Sequence, residues 1–219
     1  MSDPSPWLAA LRQRRVIAVI RSDNPDLALR LAHLAAEAGI GLIEITWNSA
    51  EPGRLIAQLR RDLPQCWIGA GTLLTQADLE DALGWGSQFC FSPHTHPELI
   101  RFAQTRSIPL VPGALTPTEI LGAWQNGAEV VKVFPIQSVG GPAYLRALQG
   151  PLGFIPLIPT GGVTLENTPA FLSAGAIAVG LSGALFPRAL VEAQDWRRLG
   201  QHLRSFVEDL ELEASSSLL

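Results

Sequence analysis

Residues 109–135, PLVPGALTPTEILGAWQNGAEVVKVFP, contain one complete strand–helix–strand unit. The apolar run Pro109–Val111 ends in the turn signal Pro112-Gly113. Thr116-Pro117-Thr118-Glu119 then reads as an N-cap, a first-turn proline and a capping-box glutamate. Apolar residues spaced by three and four carry a helix over 117–126, Gly127 suits its C-terminal cap, and Val130–Phe134 is a second strand.

The same unit recurs in both directions along the chain. Strand-like runs at Val16–Ile20, Leu42–Thr46, Trp67–Ala70, Gln88–Phe91, Pro109–Val111, Val130–Phe134, Pro156–Ile158 and Ile177–Gly180 alternate with helical segments. These segments lie near 25–38, 51–62, 76–85, 97–105, 117–126, 142–148, 166–174 and 195–210, after a leading helix near Trp7–Arg14. Asn24-Pro25-Asp26 and Thr75-Gln76-Ala77-Asp78 read as helix starts, and Gly39, Gly86 and Gly175 fall close to helix ends. Strict alternation implies a parallel sheet, and eight units in 219 residues fit a (β/α)8 TIM barrel with an N-terminal leading helix. An open doubly wound sheet is the alternative. Residues 1–212 are expected to form one domain, and 213–219, ending in Ala-Ser-Ser-Ser-Leu-Leu, a frayed tail.

Composition narrows the function. Hydrophobic residues make up 47% and charged residues 16%, which favours a packed core over disorder. The net charge is −4, and the largest basic cluster is Arg12, Arg14 and Arg15, so no nucleic-acid partner is expected. No apolar run approaches the roughly 20 residues that cross a bilayer, and no signal-peptide pattern opens the chain. The expectation is a cytoplasmic protein without a membrane partner. Cys66 and Cys90 are widely separated and suit reduced core positions.

Of sixteen basic residues only Lys132 is a lysine, and it lies in the apolar run Val130-Val131-Lys132-Val133-Phe134-Pro135. A guanidinium keeps its proton in a protein, whereas a desolvated ammonium can become a neutral, nucleophilic amine suited to Schiff-base chemistry. Survival of one lysine by chance under arginine bias is the bland alternative. Glu44, inside Leu42-Ile43-Glu44-Ile45-Thr46, needs a cation or a proton if it faces the interior, and Lys132 is the obvious cation. The two residues read either as a structural ion pair or as nucleophile and general acid/base.

In a barrel, active-site groups belong at the C-terminal ends of strands. Thr160-Gly161-Gly162 and Gly180-Leu181-Ser182-Gly183 follow the last two strands, where glycine-rich loops often bind phosphate, although such patterns also occur in plain turns. Gly69-Ala70-Gly71-Thr72 ends the third strand, Phe91-Ser92-Pro93-His94 the fourth, and Arg21 follows the first, free to meet a carboxylate or phosphate. His94-Thr95-His96 has the alternate spacing of metal-binding histidines, but only Glu98 lies near, so a rim role is expected and no metal.

Together Glu44-Ile45-Thr46, Gly69-Ala70-Gly71-Thr72, Ser92-Pro93, Val111-Pro112-Gly113, Val131-Lys132-Val133-Phe134-Pro135 and Pro159-Thr160-Gly161-Gly162 resemble the 2-keto-3-deoxy-6-phosphogluconate (KDPG) / 4-hydroxy-2-oxoglutarate (KHG) aldolases, class I enzymes on a (β/α)8 barrel. The resemblance implies Lys132 as the Schiff-base lysine, Glu44 as acid/base and Thr72 as a ligand for the pyruvyl carboxylate. It makes Pro93 and Phe134 pocket walls, and puts Thr160, Gly161 and Gly162 at the polar or phosphate end. It implies a small-molecule 2-keto acid substrate, no cofactor and a homotrimer. The reaction would cleave KDPG to pyruvate and glyceraldehyde 3-phosphate, with KHG as a second substrate.

Two positions depart from the family pattern. Asn48 stands where the gluconate-type enzymes usually have a carboxylate-binding arginine, reminiscent of the 2-keto-3-deoxy-6-phosphogalactonate aldolases. Ser182-Gly183 stands where the family often has the reverse order. Either order keeps a hydroxyl and a glycine near the anion. A phosphate-binding isomerase or epimerase, and a non-catalytic anion-binding barrel, are the remaining alternatives.

Overall fold

The computed structural model describes residues 5–216, with side chains as far as Glu213. Nine strands follow one another in the chain: β1 (Val16–Ile20), β2 (Leu42–Thr46), β3 (Trp67–Gly71), β4 (Cys90–Phe91), β5 (Leu110–Val111), β6 (Gly113–Ala114), β7 (Val131–Val133), β8 (Leu157–Pro159) and β9 (Val179–Leu181). All pairings are parallel. They form one arc in the order β5-β4-β3-β2-β1-β9 and a second in the order β6-β7-β8.

The expected fifth strand ends at Val111, and β6 follows where a turn was expected. Pro112 has no N–H to give to a ladder, so Leu110–Val111 pairs with β4 on one side and Gly113–Ala114 with β7 on the other. The Pro112 carbonyl still accepts the Lys132 N–H at 2.9 Å. Between β8 and β9, the Ile177 N–H donates to the Leu157 carbonyl at 3.1 Å, and Thr160 and Gly180 form a parallel bridge.

Two hydrophobic clusters follow from strand alternation. Val16, Ala18, Ile20, Ile43, Ile45, Val131 and Val133 face outward and pack against the helices. Ile17, Val19, Leu42, Phe89, Phe91, Val111, Val130 and Ile158 face inward, joined by Trp7 of the leading helix Pro6–Arg14. Trp7 stacks on Phe89 with ring centroids 4.5 Å apart and closes the interior at the N-terminal ends of the strands.

Helix ends follow the local signals. Asn24 accepts from the Leu27 N–H, and both Thr75/Asp78 and Thr116/Glu119 form reciprocal capping boxes. Gly39, Gly86, Gly127 and Gly175 adopt φ of 97°, 89°, 94° and 98°, the left-handed conformation of a C-terminal cap.

Other boundaries differ from expectation. Helix Pro142–Leu152 continues over Pro151 beyond the expected end at 148, and a 3-10 turn at Ile136–Val139 and a short helix at Arg188–Glu192 were not anticipated. The last helix, Trp196–Ser216, runs into the tail expected to fray, and residues 217–219 lie outside the described residues. Both cysteines are free and buried. Among the described residues no helix is long and apolar enough to cross a membrane.

Thr116 ties the unit from which the fold was read. Its hydroxyl receives the Glu119 N–H at 3.3 Å, and the Glu119 carboxylate receives the Thr116 and Leu115 N–H groups at 2.8 and 2.9 Å. Thr116→Val should lower unfolding free energy by about 1 kcal/mol. Urea denaturation checks this, and an unchanged midpoint would show the cap to be redundant.

Candidate functional site

Strand alternation that places Leu42 inward places Glu44 and Thr46 inward as well, and Lys132 faces inward between outward-facing Val131 and Val133. Glu44 is 2% exposed and Lys132 6%. Glu44 pairs in register with Val19 and Gly69, and Lys132 with Gly113 and Ile158. The glycines make the room: a Cβ on Gly71 would overlap the Glu44 carboxyl, and one on Gly113 would overlap the Pro93 backbone.

No direct ion pair joins Glu44 and Lys132, so the reading of the two as a structural ion pair lacks its contact. Ion pairs occur elsewhere, among them His33–Asp62, Glu51–Arg54, Arg188–Glu192 and Asp195–Arg198. The Lys132 Nζ lies instead over aromatic rings, 4.9 Å from the centroid of Phe134 and 5.7 Å from that of Phe91. A gap remains between amine and carboxyl.

Burial dominates the electrostatics. It pushes the Lys132 ammonium below the usual lysine range, the nearby Glu44 charge opposes that shift, and the Arg21 charge adds to it. Burial raises Glu44, against the opposing pull of Lys132 and then of Arg21. Both shifts favour neutral forms, an amine with a free lone pair beside a carboxyl that holds its proton.

The other sequence-derived residues sit at the same ends of the strands. Arg21 directly follows β1 and is exposed, and Asn48 occupies the exposed tip of a turn closed by the Ser49 N–H on the Thr46 carbonyl at 2.9 Å. Thr72, after β3, has φ of 61°, a rare conformation for a β-branched residue that costs roughly 1–3 kcal/mol. Its neighbours hold it there: the Gly71 carbonyl accepts the Trp47 N–H at 2.7 Å, and the Leu73 N–H donates to Phe91 at 3.2 Å. Pro93 follows β4 and Phe134 follows β7, each half-buried.

After β8, Gly161 and Gly162 take φ of 86° and 87° where the chain turns closely over Pro135 and Gln137. Thr160 just before them accepts the Ile136 N–H at 3.0 Å. Ser182 and Gly183, after β9, are exposed.

Three buried hydroxyls beside these strand ends, Thr46, Ser49 and Ser92, had no role assigned from sequence. Thr46 was detectable, because it continues the inward alternation of Leu42 and Glu44. Ser92 receives the His94 backbone N–H at 3.3 Å, and its Oγ lies 3.0 Å from His94 Nδ1. His94 is lowered from the usual histidine range by burial and then by His96, whose ring lies 6.0 Å away. Among the described residues no group of three or more His, Cys, Asp or Glu side chains could hold a metal ion.

A model of the KDPG and KHG aldolase family matches residues 8–202. The chain is 34% identical to a 2-dehydro-3-deoxy-phosphogluconate aldolase of Pseudomonas aeruginosa, over 90% of each sequence. It is 36% identical to a probable 2-dehydro-3-deoxy-6-phosphogalactonate aldolase of Rhizobium meliloti, over 80% of this chain and 82% of that one. Among solved structures it resembles KDPG aldolase from Legionella pneumophila, captured with pyruvate as a covalent carbinolamine. The TM-score is 0.83 at 27% identity, covering 91% of this chain and 97% of that one.

Because Lys132 is the only lysine, its titration can be followed by the pH dependence of reductive methylation, read on the Lys132 peptide. The midpoint should fall below about 10.4, the value of an unperturbed lysine. Removing a like charge raises the pKa of an ammonium, so Arg21→Gln should move the midpoint upward. A midpoint at or above the free value would contradict this account of the site.

Proposed function

The chain belongs to the KDPG and KHG aldolase family and is an aldehyde-lyase of class I, and we propose that Lys132 and Glu44 are its catalytic pair. The observation that carries this assignment is the burial of the sole lysine, with its pKa lowered, across a gap from a buried carboxyl with its pKa raised.

The reaction is reversible cleavage of KDPG to pyruvate and glyceraldehyde 3-phosphate, with KHG, giving pyruvate and glyoxylate, as a further substrate. The neutral Lys132 amine attacks the C2 carbonyl to give a carbinolamine, and a proton from Glu44 lets water depart, leaving a protonated imine. Glu44 then takes the proton of the C4 hydroxyl, the C3–C4 bond breaks, and its electron pair moves into the imine as an enamine. The aldehyde leaves, Glu44 returns the proton to C3, and water releases pyruvate from the lysine. Every proton moves through one carboxyl, which burial raises above the usual carboxylate range and so equips to donate as well as accept.

The remaining roles follow from position. Thr72 and Arg21 would take the keto-acid carboxylate, Pro93 and Phe134 the walls, and Thr160, Gly161, Gly162, Ser182 and Gly183 the phosphate end. We read the two arcs as one eight-stranded barrel. In support, Pro112 alone separates β5 from β6, and the Thr160–Gly180 bridge spans the seam between β8 and β9. A cytoplasmic homotrimer is the assembly that the family resemblance implies.

One observation favours a second substrate, 2-keto-3-deoxy-6-phosphogalactonate. Asn48 replaces the arginine usual in gluconate-type enzymes, and the Rhizobium meliloti galactonate relative is 36% identical. Cleavage rates on the gluconate, galactonate and hydroxyglutarate substrates would rank the three.

Borohydride with pyruvate should label the protein irreversibly at Lys132, with the N-terminal amine as the control. Lys132→Arg keeps the charge without the nucleophile, so it should abolish labelling and lower cleavage on the order of 10³-fold or more. An unlabelled Lys132 in the active protein would instead favour an isomerase or epimerase that uses Glu44 as base. Inactivity toward every 2-keto-3-deoxy acid would favour a non-catalytic anion-binding barrel.

A further inference from the structure

The loops after β1 and β2 are fastened by one hydroxyl. Ser49 Oγ accepts the Ser22 N–H at 3.2 Å and lies 3.0 Å from Thr46 Oγ1, a hydrogen bond in which either oxygen can donate. The Ser22 carbonyl in turn accepts the Ala50 N–H at 3.0 Å. Both backbone groups of Ser22, the residue next to Arg21, are thus taken by residues 49 and 50. Ser22 Oγ turns the chain the other way, donating to the Asn24 carbonyl at 2.9 Å and receiving the Asn24 N–H at 3.1 Å.

The location of this latch is informative. Thr46 is fully buried and lies on the inward face of β2, two residues beyond Glu44, and Ser49 is 8% exposed. Arg21 is exposed, makes no hydrogen bond or ion pair among the described residues, and its side chain is entropically costly to order. Yet it is the one arginine whose charge acts on both Glu44 and Lys132. With neutral Asn48 at the tip of the adjacent turn, the local supply of positive charge for a carboxylate is Arg21 itself. Its direction is set by its backbone, and its backbone is set by Ser22.

We propose that Ser49 is a positioning residue that, through Ser22, aims Arg21 at the carboxylate of the keto acid bound to Lys132. This rests on the Schiff-base reading above. Alanine at 49 would leave the Ser22 N–H and the Thr46 hydroxyl without this partner and free the Arg21 backbone to wander. The loss should fall on keto-acid binding rather than on the bond-forming step.

The measurement is the pyruvate concentration giving half-maximal borohydride trapping, together with the trapping rate at saturation. Ser49→Ala should raise the former about tenfold, roughly the cost of one hydrogen bond to a charged group, and leave the latter within about twofold. Ser49→Thr, which keeps the hydroxyl, should restore the original value. In an Arg21→Gln background Ser49→Ala should add no further loss, because the group it aims is gone.

An equal loss in both backgrounds would make Ser49 merely structural, and no loss in the original background would make the latch irrelevant to binding. Either overturns the proposal. Thr46→Val, which removes the other partner of Ser49 at nearly constant volume, gives the same reading if Ser49→Ala fails to fold. Failure of the unmodified protein to be trapped at all would instead overturn the Schiff-base reading itself.

Discussion

Desolvation of two opposite charges that do not touch is the constraint on which the rest depends. Moving an ammonium or a carboxylate out of water costs several kcal/mol per ion even after relaxation. A direct hydrogen-bonded pair would offset that cost and stabilise the ionised forms of both. Here the Lys132 amine rests against the rings of Phe91 and Phe134 and stops short of Glu44, so burial wins for each group. Burial thus shifts both groups toward amine and acid, the two forms that imine chemistry begins with. Gly71 leaves the room the Glu44 carboxyl fills, while Gly69 and Gly113 admit the close approach of Phe89 and of the Pro93 backbone.

The scaffold was legible because its signals are local. A β-branched run, a threonine cap and a closing glycine act within ten or fifteen residues, and Gly39, Gly86, Gly127 and Gly175 adopt the backbone conformation their positions imply. Lys132 was legible because one lysine among sixteen basic residues in an apolar strand has few structural excuses. The change of partner at Pro112 was less so, although Pro112 was in plain view: which side of a strand loses its partner depends on neighbours about twenty residues away.

The site was legible as a set of strand ends and illegible as contacts. Strand order puts Arg21, Asn48, Thr72, Pro93, Phe134, Thr160 and Ser182 at one end of the sheet, but it says nothing about ångströms. Sequence alone could not choose between an ion pair and a separated acid and amine, since the Phe91 and Phe134 rings beside the amine come from β4 and from the residue after β7. Thr72 carries no sequence mark of its left-handed backbone, which bonds from Trp47 and Leu73 impose. Ser49 carries no sequence signal of its role because its partners, Thr46 and Ser22, lie at two separate strand ends.

Trp7 and the aromatic residues beneath Lys132 make the interior a blind alley. Anything that reaches the amine from the strand ends must go back the way it came. For the proposed cleavage this imposes a queue: the fragment tethered to Lys132 sits innermost, and the aldehyde stands between it and the exit. Departure is therefore ordered, with aldehyde out first and the tethered three-carbon piece last. In the synthetic direction the same corridor makes pyruvate the obligatory first arrival.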